Sequence, residues 1–497
     1  MPLTRHDLHT FCDHAKKIQK ERTIPNFVLS IIHPAENIIS ANGSLIDEKT
    51  LFPVGSISKG FAATVAAHLV DKGLIDWNDS IKKFIDIKMP NDIDLSVRQL
   101  LSHINPFPEH TLTEASEFGF SRKELIEKLQ YIAINNEFKF SYQNILFSLI
   151  ADIVQKVSGK TYQDYLSQHI LIPLEMVTTT SVEKDYLDNN NKASPYIKHD
   201  NIISKIPYSS FWHTMGPPSC IATSITDLTR WMKFNLQIEH NTLISKKSLD
   251  AIHTPLAHST PPYAMGWWKA DEQGLVLSHT GSVTGFDNAI AIIPSCKIGI
   301  AVCSNLSGDR FAYDMLNEFI RRFLNEKTFS CTNVLQLKMP LSQPKFPLRK
   351  FIGDFYHPIL ESIKITYKNN SLHLEIGKNK TLATLTPITL LPTHSKITPQ
   401  LFQLSQHACF QINWQSGMEA AGKVYYDNDI VSFSENKDGV IDTLLLFAES
   451  INTSLLVCKR VDILNTLIQT NSFFNLKNNP SESSHANNQI ALSQKPG

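Results

Sequence analysis

The sequence lacks the features that mark disulfide-rich, zinc-binding, membrane-spanning and nucleic-acid-binding proteins. Its seven cysteines are odd in number and widely spread over 497 residues, without a C-x-x-C pair, which argues against a disulfide framework and a thiolate zinc site. It contains no run of about 18 apolar residues, so we predict no membrane span. The 47 Lys and Arg residues balance the 47 Asp and Glu residues, which removes a general electrostatic attraction to nucleic acid or anionic lipid.

Residues 1–30 contain no apolar core of the kind that defines a secretory signal. We therefore expect a cytoplasmic protein with reduced cysteines. In this segment His6, His9 and Asp13 can share one face of a predicted helix, which fits either a metal site or an ordinary polar helix face. The polar face explains these residues without a ligand, so we predict no metal.

The order of apolar patterns predicts a mixed α/β (α+β) fold for the first part of the chain. Residues 4–20 and 61–70 have helical patterns, the second of them apolar on most sides, and residues 26–33 are typical of a strand. Further helical patterns occur at 145–157 and 311–323, and short apolar runs separated by turns occur at 274–278, 288–293 and 298–303. We predict an antiparallel sheet flanked by helices, with a helical subdomain inserted between its strands.

The last part of the chain has a different character. Three prolines among polar residues between positions 325 and 350 are typical of a linker. Short strand patterns follow at 363–367, 372–376, 408–414, 423–426, 430–433, 443–447 and 455–458, as in a small β-barrel or sandwich. We predict a first domain at 1–335, a linker at 336–350, a β-barrel domain at 351–465 and a disordered tail at 466–497.

Common catalytic signatures are absent. Gly159-Lys160-Thr161 ends like a phosphate-binding loop, but Val154 stands where that loop requires glycine. The sequence has no H-E-x-x-H, G-x-G-x-x-G or G-x-S-x-G pattern. Metalloprotease, dinucleotide-binding and α/β-hydrolase chemistry therefore have no support in these motifs.

The segment Gly55-Ser56-Ile57-Ser58-Lys59 stands at the start of the apolar helix. A serine at a helix N-terminus has free backbone N–H groups beside it, which can stabilise an oxyanion. Residues three apart share a helix face, so Lys59 can reach the Ser56 hydroxyl, and burial would lower the lysine pKa. By itself the pattern is weak, because Ser and Lys are common and it better fits a plain N-cap followed by a surface lysine.

Two later segments strengthen the catalytic interpretation. Tyr142 and Asn144 precede the helical pattern at 145–157, and from a loop both can point into one cleft. The segment 278–282, Ser-His-Thr-Gly-Ser, ends a predicted strand, and its small residues leave room for a substrate along the strand edge. Taken separately, the first fits packing and capping and the second fits an ordinary strand end.

Together, Ser56-x-x-Lys59, Tyr142-x-Asn144 and His279-Thr-Gly281 resemble the three motifs of serine β-lactamases and penicillin-recognising enzymes. Their order and the Y-x-N element resemble the branch that contains class C β-lactamases, D-aminopeptidases and esterases. Flanking segments that agree with the branch are 51–55, 97–103, 157–160, 173–176, 226–228 and 265–267. The resemblance covers about residues 5–330.

The resemblance implies a β-lactamase/transpeptidase-like core and a role for each matching residue. Ser56 would be the acylated nucleophile, while Lys59 and Tyr142 would share the proton transfers, Tyr142 as a phenolate base. Asn144 would orient the substrate, and the backbone N–H groups of Ser56 and Ser282 would form the oxyanion hole. The substrate would bind along His279, Thr280, Gly281 and Ser282, and no cofactor is implied.

The sequence departs from the branch at three places. His279 replaces the lysine with which class C β-lactamases engage a substrate carboxylate, and a largely neutral imidazole resembles the D-aminopeptidase-like and esterase-like members. Ile104-Asn105-Pro106 replaces a usual Thr-Ser-Gly, and Ser219-Cys220 replaces a Gly-Gly. These changes affect the expected loop shapes near the site and hence the substrate.

The last domain opens with Phe351-Ile-Gly-Asp-Phe-Tyr356. This loosely resembles the lipocalin-like domains that follow such hydrolases in some bacterial and archaeal proteins. The resemblance implies a lid, a substrate-selection module or an oligomerisation module, and so a possible homo-oligomer.

We therefore predict a serine hydrolase that forms an acyl-enzyme through Ser56 on a small ester or peptide amide, in the manner of D-aminopeptidases or esterases. The expected partner is a small molecule or short peptide, with no nucleic acid. The alternatives are a β-lactamase or D-Ala-D-Ala carboxypeptidase, and a catalytically silent binding protein that keeps the fold.

Overall fold

The computed structural model has two compact units. Of the described residues, those up to 324 belong to the first unit and those from 347 belong to the second, except Asn452 and Thr453, which are grouped with the first. The described residues are 4–199, 202–238, 243–256, 259, 261–269, 276–324, 347–388, 408–414, 430–435, 440–448 and 452–461. Among these residues, no helix has the length and apolar character needed to cross a membrane.

The first unit is built on a six-stranded antiparallel sheet of order β2-β1-β12-β11-β10-β9. The strands of this unit are β1 (Asn26–Ile32), β2 (Ile38–Gly43), β3 (Phe52–Pro53), β4 (Ile104–Asn105), β5 (Lys139–Phe140), β6 (Tyr196–His199), β7 (Ile202–Lys205), β8 (Ala222–Thr223), β9 (Trp268–Lys269), β10 (Leu277–Val283), β11 (Phe286–Ile293), β12 (Ile298–Ser304) and β13 (Leu306–Ser307). Every residue of β1, β11 and β12 is buried. A sheet that is buried on both faces requires cover on both sides.

Helices supply that cover. They are α1 (Arg5–Arg22), α2 (Ser58–Asp71), α3 (Val97–Leu101), α4 (Arg122–Lys128), α5 (Asn144–Ser148), α6 (Ile150–Ser158), α7 (Tyr162–Leu166), α8 (Glu183–Asp188), α9 (Phe211–Thr214), α10 (Ile225–Asn235), α11 (Lys246–Ile252) and α12 (Phe311–Leu324). Helices α3 to α9 lie between β3 and β8 in the chain, where the sequence predicts a helical insertion.

Helices α1 and α12 pack on one face of the sheet. The ring of Phe11 in α1 lies 5.3 Å from that of Phe319 in α12, and Phe27 of β1 lies 4.9 Å from Phe311 of α12. Both pairs meet edge to face, the arrangement that aromatic quadrupoles favour. The amphipathic pattern at 4–20 is thus confirmed as a helix whose apolar side covers the sheet.

Helices α10 and α2 lie on the other face. Successive strand residues point to opposite faces, and Ser30 of β1, next to the buried Leu29, accepts a hydrogen bond of 2.7 Å from Thr229 of α10. Phe61 of α2 stacks on Trp231 of α10 with 3.9 Å between ring centroids. Residues 58–69 of α2 are all buried, as the apolar run of this helix predicts.

Two boundaries differ from the sequence prediction. The helical pattern at 145–157 is divided into α5 and α6 by a tight turn at Leu149, whose N–H donates to the Leu146 carbonyl instead of one residue further back. The His-Thr-Gly segment lies inside β10 and not at a strand end, because its backbone stays paired with β11 as far as Val283. Residues 274 and 275 lie outside the described residues.

The second unit consists of strands that pair in chain order and close into a barrel. They are β14 (Gly353–His357), β15 (Glu361–Lys368), β16 (Ser371–Ile376), β17 (Thr381–Ile388), β18 (Ala408–Trp414), β19 (Ile430–Glu435), β20 (Ile441–Ala448) and β21 (Asn452–Arg460). Closure is made by antiparallel pairing of β14 with β21, and alternate residues of β16 point to the buried side. The predicted strand at 423–426 and the predicted tail at 466–497 lie outside the described residues, and the domain boundaries stay predictions.

Candidate active site

The predicted nucleophile lies in a tight turn that leads into the buried helix. Gly55–Ile57 forms one turn of 3-10 helix, and α2 continues directly from Ser58. Ser56 is half-buried in the turn, whereas Lys59 lies in the first turn of α2 and is fully buried. The two side chains therefore share a face, as their spacing predicts.

Lys59 has three hydrogen-bond partners, all of them oxygen atoms. Its Nζ lies 3.0 Å from Ser56 Oγ, 2.7 Å from Asn144 Oδ1 and 3.2 Å from the carbonyl oxygen of Pro218. Burial lowers the pKa of Lys59 well below its ordinary value, because the charged ammonium loses its hydration. The amide and carbonyl oxygens can only accept, so the lone pair of the neutral amine is directed at the Ser56 hydroxyl.

Tyr142 completes the group around the nucleophile. Lys59 Nζ lies 4.6 Å from the centroid of its ring. Burial raises the pKa of Tyr142 above its ordinary value, while a hydrogen bond with Ser56 acts in the opposite direction. Burial, the larger of the two effects, favours the neutral phenol over the expected phenolate. The proton-transfer role of Tyr142 stays a prediction.

Strand β10 approaches the nucleophile turn so closely that two glycines are required. A Cβ atom on Gly281 would lie 1.8 Å from the Val54 carbonyl oxygen, and one on Gly55 would lie 3.0 Å from the Ser282 backbone nitrogen. Gly55 also has a φ of +51°, in the region that favours glycine. The approach brings the backbone of Ser282 next to that of Ser56, the two groups proposed for the oxyanion hole.

Asn288 of β11 holds this approach in place. Its Nδ2 donates to the carbonyl oxygens of Pro53, at 2.9 Å, and Gly281, at 2.8 Å. One buried amide thus joins the segment before the nucleophile to β10. Our sequence analysis missed this residue, although a polar residue within the apolar run at 288–293 was an available signal.

His279 differs from a substrate-binding cation in both charge and accessibility. Its ring is buried, its Nδ1 donates to the Thr280 carbonyl at 2.5 Å, and its Nε2 accepts from the Tyr263 hydroxyl at 3.0 Å. Burial lowers the pKa of His279 to about 3. The imidazole is thus neutral, as the sequence predicts. Both ring nitrogens already have partners within the protein.

The residues next to His279 on β10 alternate between the two faces of the strand. Thr280 and Ser282 point to the exposed face, whereas Gly281 points to the buried one. Ser282 Oγ donates at 2.6 Å to Asp287 Oδ1. This hydrogen bond ties the end of β10 to the start of β11 and leaves the Ser282 backbone at the nucleophile turn.

The departure at 104–106 produces a loop that is pinned to the Tyr142 segment. Asn105 Nδ2 donates to the carbonyl oxygens of His103, at 3.1 Å, and Ser141, at 2.8 Å. Asn105 Oδ1 accepts from the Phe107 N–H at 3.0 Å. Each polar atom of this buried amide is bonded, so the altered residues keep the loop in a defined position.

The other candidate sites are structural in character. Burial raises the pKa of Cys220 to about 12, so its thiol stays protonated. On α1, His9 pairs with Glu36, and Asp13 pairs with Lys16. Within the part of the chain that the structure describes, no three His, Cys, Asp or Glu residues are grouped closely enough to hold a metal ion.

With this geometry established, comparison with known proteins identifies the family. The sequence model of the Beta-lactamase family matches residues 12–324. The chain belongs to the β-lactamase family. The predicted resemblance is confirmed at the level of the family.

Solved structures of similar fold include a penicillin-binding protein homologue and an amidohydrolase. The octameric penicillin-binding protein homologue from Pyrococcus abyssi has 20% sequence identity and a TM-score of 0.55, and the match covers 91% of this chain and 100% of that one. A D-stereospecific amidohydrolase from Streptomyces sp. has 20% identity and a TM-score of 0.53, with 64% and 99% covered. These similarities confirm the β-lactamase/transpeptidase-like fold.

Curated relatives of this family member include Protein flp of Staphylococcus aureus strain MW2 and the unguisins hydrolase ungD' of Aspergillus campestris. Protein flp is 23% identical over 56% of this chain and 58% of its own length. The unguisins hydrolase is 23% identical over 69% of this chain and 73% of its own length. The match to Protein flp thus spans little more than half of that relative.

Proposed function

We propose that the chain is a serine hydrolase that forms an acyl-enzyme on Ser56 and acts on a small ester or peptide amide. The observation that carries this proposal is the environment of Lys59. Two acceptor oxygens, of Asn144 and Pro218, occupy two of the positions around Nζ, and the third is directed at Ser56 Oγ. A neutral lysine in this environment is a base for the serine proton.

In the proposed reaction, Lys59 takes the proton from Ser56 Oγ as that oxygen bonds to the substrate carbonyl carbon. The carbonyl oxygen becomes an oxyanion that accepts from the backbone N–H groups of Ser56 and Ser282. Tyr142 gives its proton to the leaving oxygen or nitrogen, the bond to that atom breaks, and Lys59 returns a proton to Tyr142. Water then attacks the carbonyl carbon of the acyl-enzyme while Lys59 takes one of its protons. The bond from that carbon to Ser56 Oγ breaks, Lys59 returns the proton to Ser56 Oγ, and the acid product leaves.

The environment of His279 on β10 supports a substrate that has a neutral group where β-lactam substrates carry a carboxylate. His279 has no charge to offer, and both of its nitrogens are bonded to Thr280 and Tyr263. We propose that His279 contacts the substrate only through the edge of its ring, while Thr280 and Ser282 on the exposed face of β10 supply hydrogen bonds. The name of the amidohydrolase fits an amide substrate, and that of the unguisins hydrolase fits hydrolysis.

A fluorophosphonate probe tests the nucleophile. We expect one covalent adduct on the full-length protein by intact mass, located at Ser56 by peptide mapping and lost in Ser56→Ala. The matched control is Ser295→Ala, which changes a serine in the exposed turn after β11 and keeps the adduct. A wild type without an adduct at any dose would disprove the proposal.

A substrate panel then separates the proposed chemistry from its alternatives. A nitrophenyl ester, a D-amino acid anilide and a chromogenic cephalosporin are compared by kcat/KM, with Ser56→Ala and Tyr142→Phe as controls. We expect the ester or the anilide to be turned over fastest. Faster turnover of the cephalosporin would identify a β-lactamase, and equal rates for the wild type and both variants would identify a catalytically silent binding protein.

For the second unit we propose a lipocalin-like domain that takes part in substrate selection or homo-oligomerisation. The closed strand order β14 to β21 supports it, as does a match covering 91% of the chain to a homologue whose structure is described as octameric. Light scattering of the full chain, and of a variant that ends before residue 347, measures whether this domain carries the assembly. If both proteins contain the same number of subunits, the domain has no role in oligomerisation.

A further inference from the structure

We propose that His103 is a positioning residue for Tyr142, and that it acts through the neutral Nε2–H form of its ring. The inference rests on the proposed function, because it assigns a role within the same catalytic group. Among the described residues, no hydrogen bond joins His103 to Ser56 or Lys59, so His103 is an addition to the group described above.

His103 binds the backbone on both sides of Tyr142. The N–H of Ser141 donates to the His103 carbonyl oxygen at 2.8 Å, and the N–H of Gln143 donates to His103 Nδ1 at 3.1 Å. The rings of His103 and Tyr142 are 4.3 Å apart at their centroids, with planes inclined by 36°. One residue thus determines the position of the Tyr142 backbone and limits the movement of its ring.

The hydrogen bond from Gln143 decides the tautomer. Since Nδ1 accepts, the ring proton lies on Nε2. Nε2 is buried and has no hydrogen-bond partner among the described residues. The rings of Tyr263, Phe147 and Phe140 pack around the His103 ring, with their centroids 4.9, 5.3 and 6.1 Å from its centroid.

Protonation of His103 would destroy this arrangement. A second ring proton would occupy Nδ1 and face the N–H of Gln143, which would lose its acceptor. Burial lowers the pKa of His103 well below its ordinary value. The titratable groups near its ring are Lys59, His279 and His110, and a positive charge on any of them would further oppose a charge on His103. The ring therefore stays neutral while the site is in use.

The backbone of His103 supports a positioning role in place of simple packing. Its φ is +58°, a left-handed conformation that is uncommon for residues other than glycine, although histidine, asparagine and aspartate adopt it more often than the rest. In this conformation its carbonyl accepts from both Ser141 and Asn105. The unfavourable conformation is retained at the point where it holds the Tyr142 segment.

The test compares His103→Asn with His103→Leu in the full chain. Asparagine offers an oxygen acceptor near the place of Nδ1, whereas leucine offers none. With the best substrate of the panel, we expect His103→Leu to lower kcat/KM by about 100-fold, the scale of a misplaced acid or base. We expect His103→Asn to recover most of that loss. A His103→Asn variant no more active than His103→Leu would overturn the proposal.

A double-mutant cycle with Tyr142→Phe separates positioning from structural damage. If His103 acts through Tyr142, the leucine substitution has less than about a threefold further effect once the phenol is gone. A full additional loss in the Tyr142→Phe background would overturn the proposal. His68→Leu, which removes another buried and hydrogen-bonded histidine of the first unit, serves as the control for stability and should keep kcat/KM.

A spectroscopic measurement tests the tautomer independently of turnover. The ¹⁵N shifts of His103 should report the neutral Nε2–H form from about pH 5 to about pH 8. A protonated ring or the Nδ1–H form would overturn the proposal. Absence of Ser56 labelling in the wild type would instead show that the proposed function has failed, and the inference would fall with it.

Discussion

The two sides of the candidate active site contribute in different ways. On the helix side, the side chains of Ser56, Lys59 and Asn144 form a connected hydrogen-bond group. On the strand side, β10 contributes its backbone, and the ring of His279 is bonded to its own protein. The difference teaches that a motif of reactive side chains can be recognised by residue type, whereas a backbone contribution depends on how closely two segments approach.

On the helix side, the largest loss of activity is expected from Lys59→Met, which keeps the shape of the side chain and removes the base. We expect kcat/KM to fall by about 1,000-fold, within the range for loss of a general base. The rate of fluorophosphonate labelling measures the same loss at Ser56. Labelling as fast as in the wild type would show that another group takes the serine proton.

On the strand side, Gly281→Ala should displace β10. The new Cβ would overlap the Val54 carbonyl oxygen, so β10 must move away from the nucleophile turn. Displacing the Ser282 N–H should lower kcat by about 100-fold, the effect of losing one oxyanion-hole donor. Steady-state kinetics measures this, beside the melting temperature.

The control for this substitution lies on the helix side. A Cβ on Gly60 would make an ordinary contact of 3.5 Å with the Trp267 ring, and alanine favours the helix. We expect Gly60→Ala to keep its activity and to be at least as stable as the wild type. A Gly281→Ala enzyme as active as Gly60→Ala would show that the close approach is not needed.

The pH dependence of stability tests whether Lys59, on the helix side, is charged in the folded protein. Because the pKa of Lys59 is lowered in the folded protein, the unfolded chain binds more protons between the folded pKa and about 10.4. Stability should therefore fall as pH decreases from about 10.4 to the folded pKa, by up to about 1.4 kcal/mol per pH unit. Urea unfolding measures this slope against Lys59→Met, which should lack it. Equal slopes would mean that Lys59 stays charged when buried.

The smallest effect is expected from Tyr263→Phe on the strand side. It removes the hydroxyl that donates to His279 Nε2 and should lower the free energy of unfolding by about 1 kcal/mol. If His279 has only a supporting role, kcat/KM changes by less than about fivefold, the kinetic equivalent of that loss. The control is Tyr162→Phe, since the buried Tyr162 hydroxyl has no partner among the described residues. A much larger kinetic loss in Tyr263→Phe would give His279 a direct role.

Much of the fold and of the helix side could be predicted from the sequence. The apolar run at 61–70 predicts a buried helix, and Ser56 and Lys59 share its face because the helical repeat places residues three apart together. The supporting residues were harder to find. Pro218 acts through a backbone carbonyl, and Tyr263 and Asn288 look like ordinary residues of strands and loops until their partners are known.

By itself the sequence determined the order of the elements, the spacing of Ser56 and Lys59 on one helix face and the absence of a lysine at position 279. Only the tertiary structure decided which groups surround Lys59, Tyr142 and His279, because the burial that shifts their pKa values depends on segments that are distant in the chain. It also decided the need for glycine at position 281. Glycine is needed there because the backbone of Gly281 lies against Val54, which is 227 positions away in the sequence. The residues next to Gly281 in the sequence do not indicate this contact.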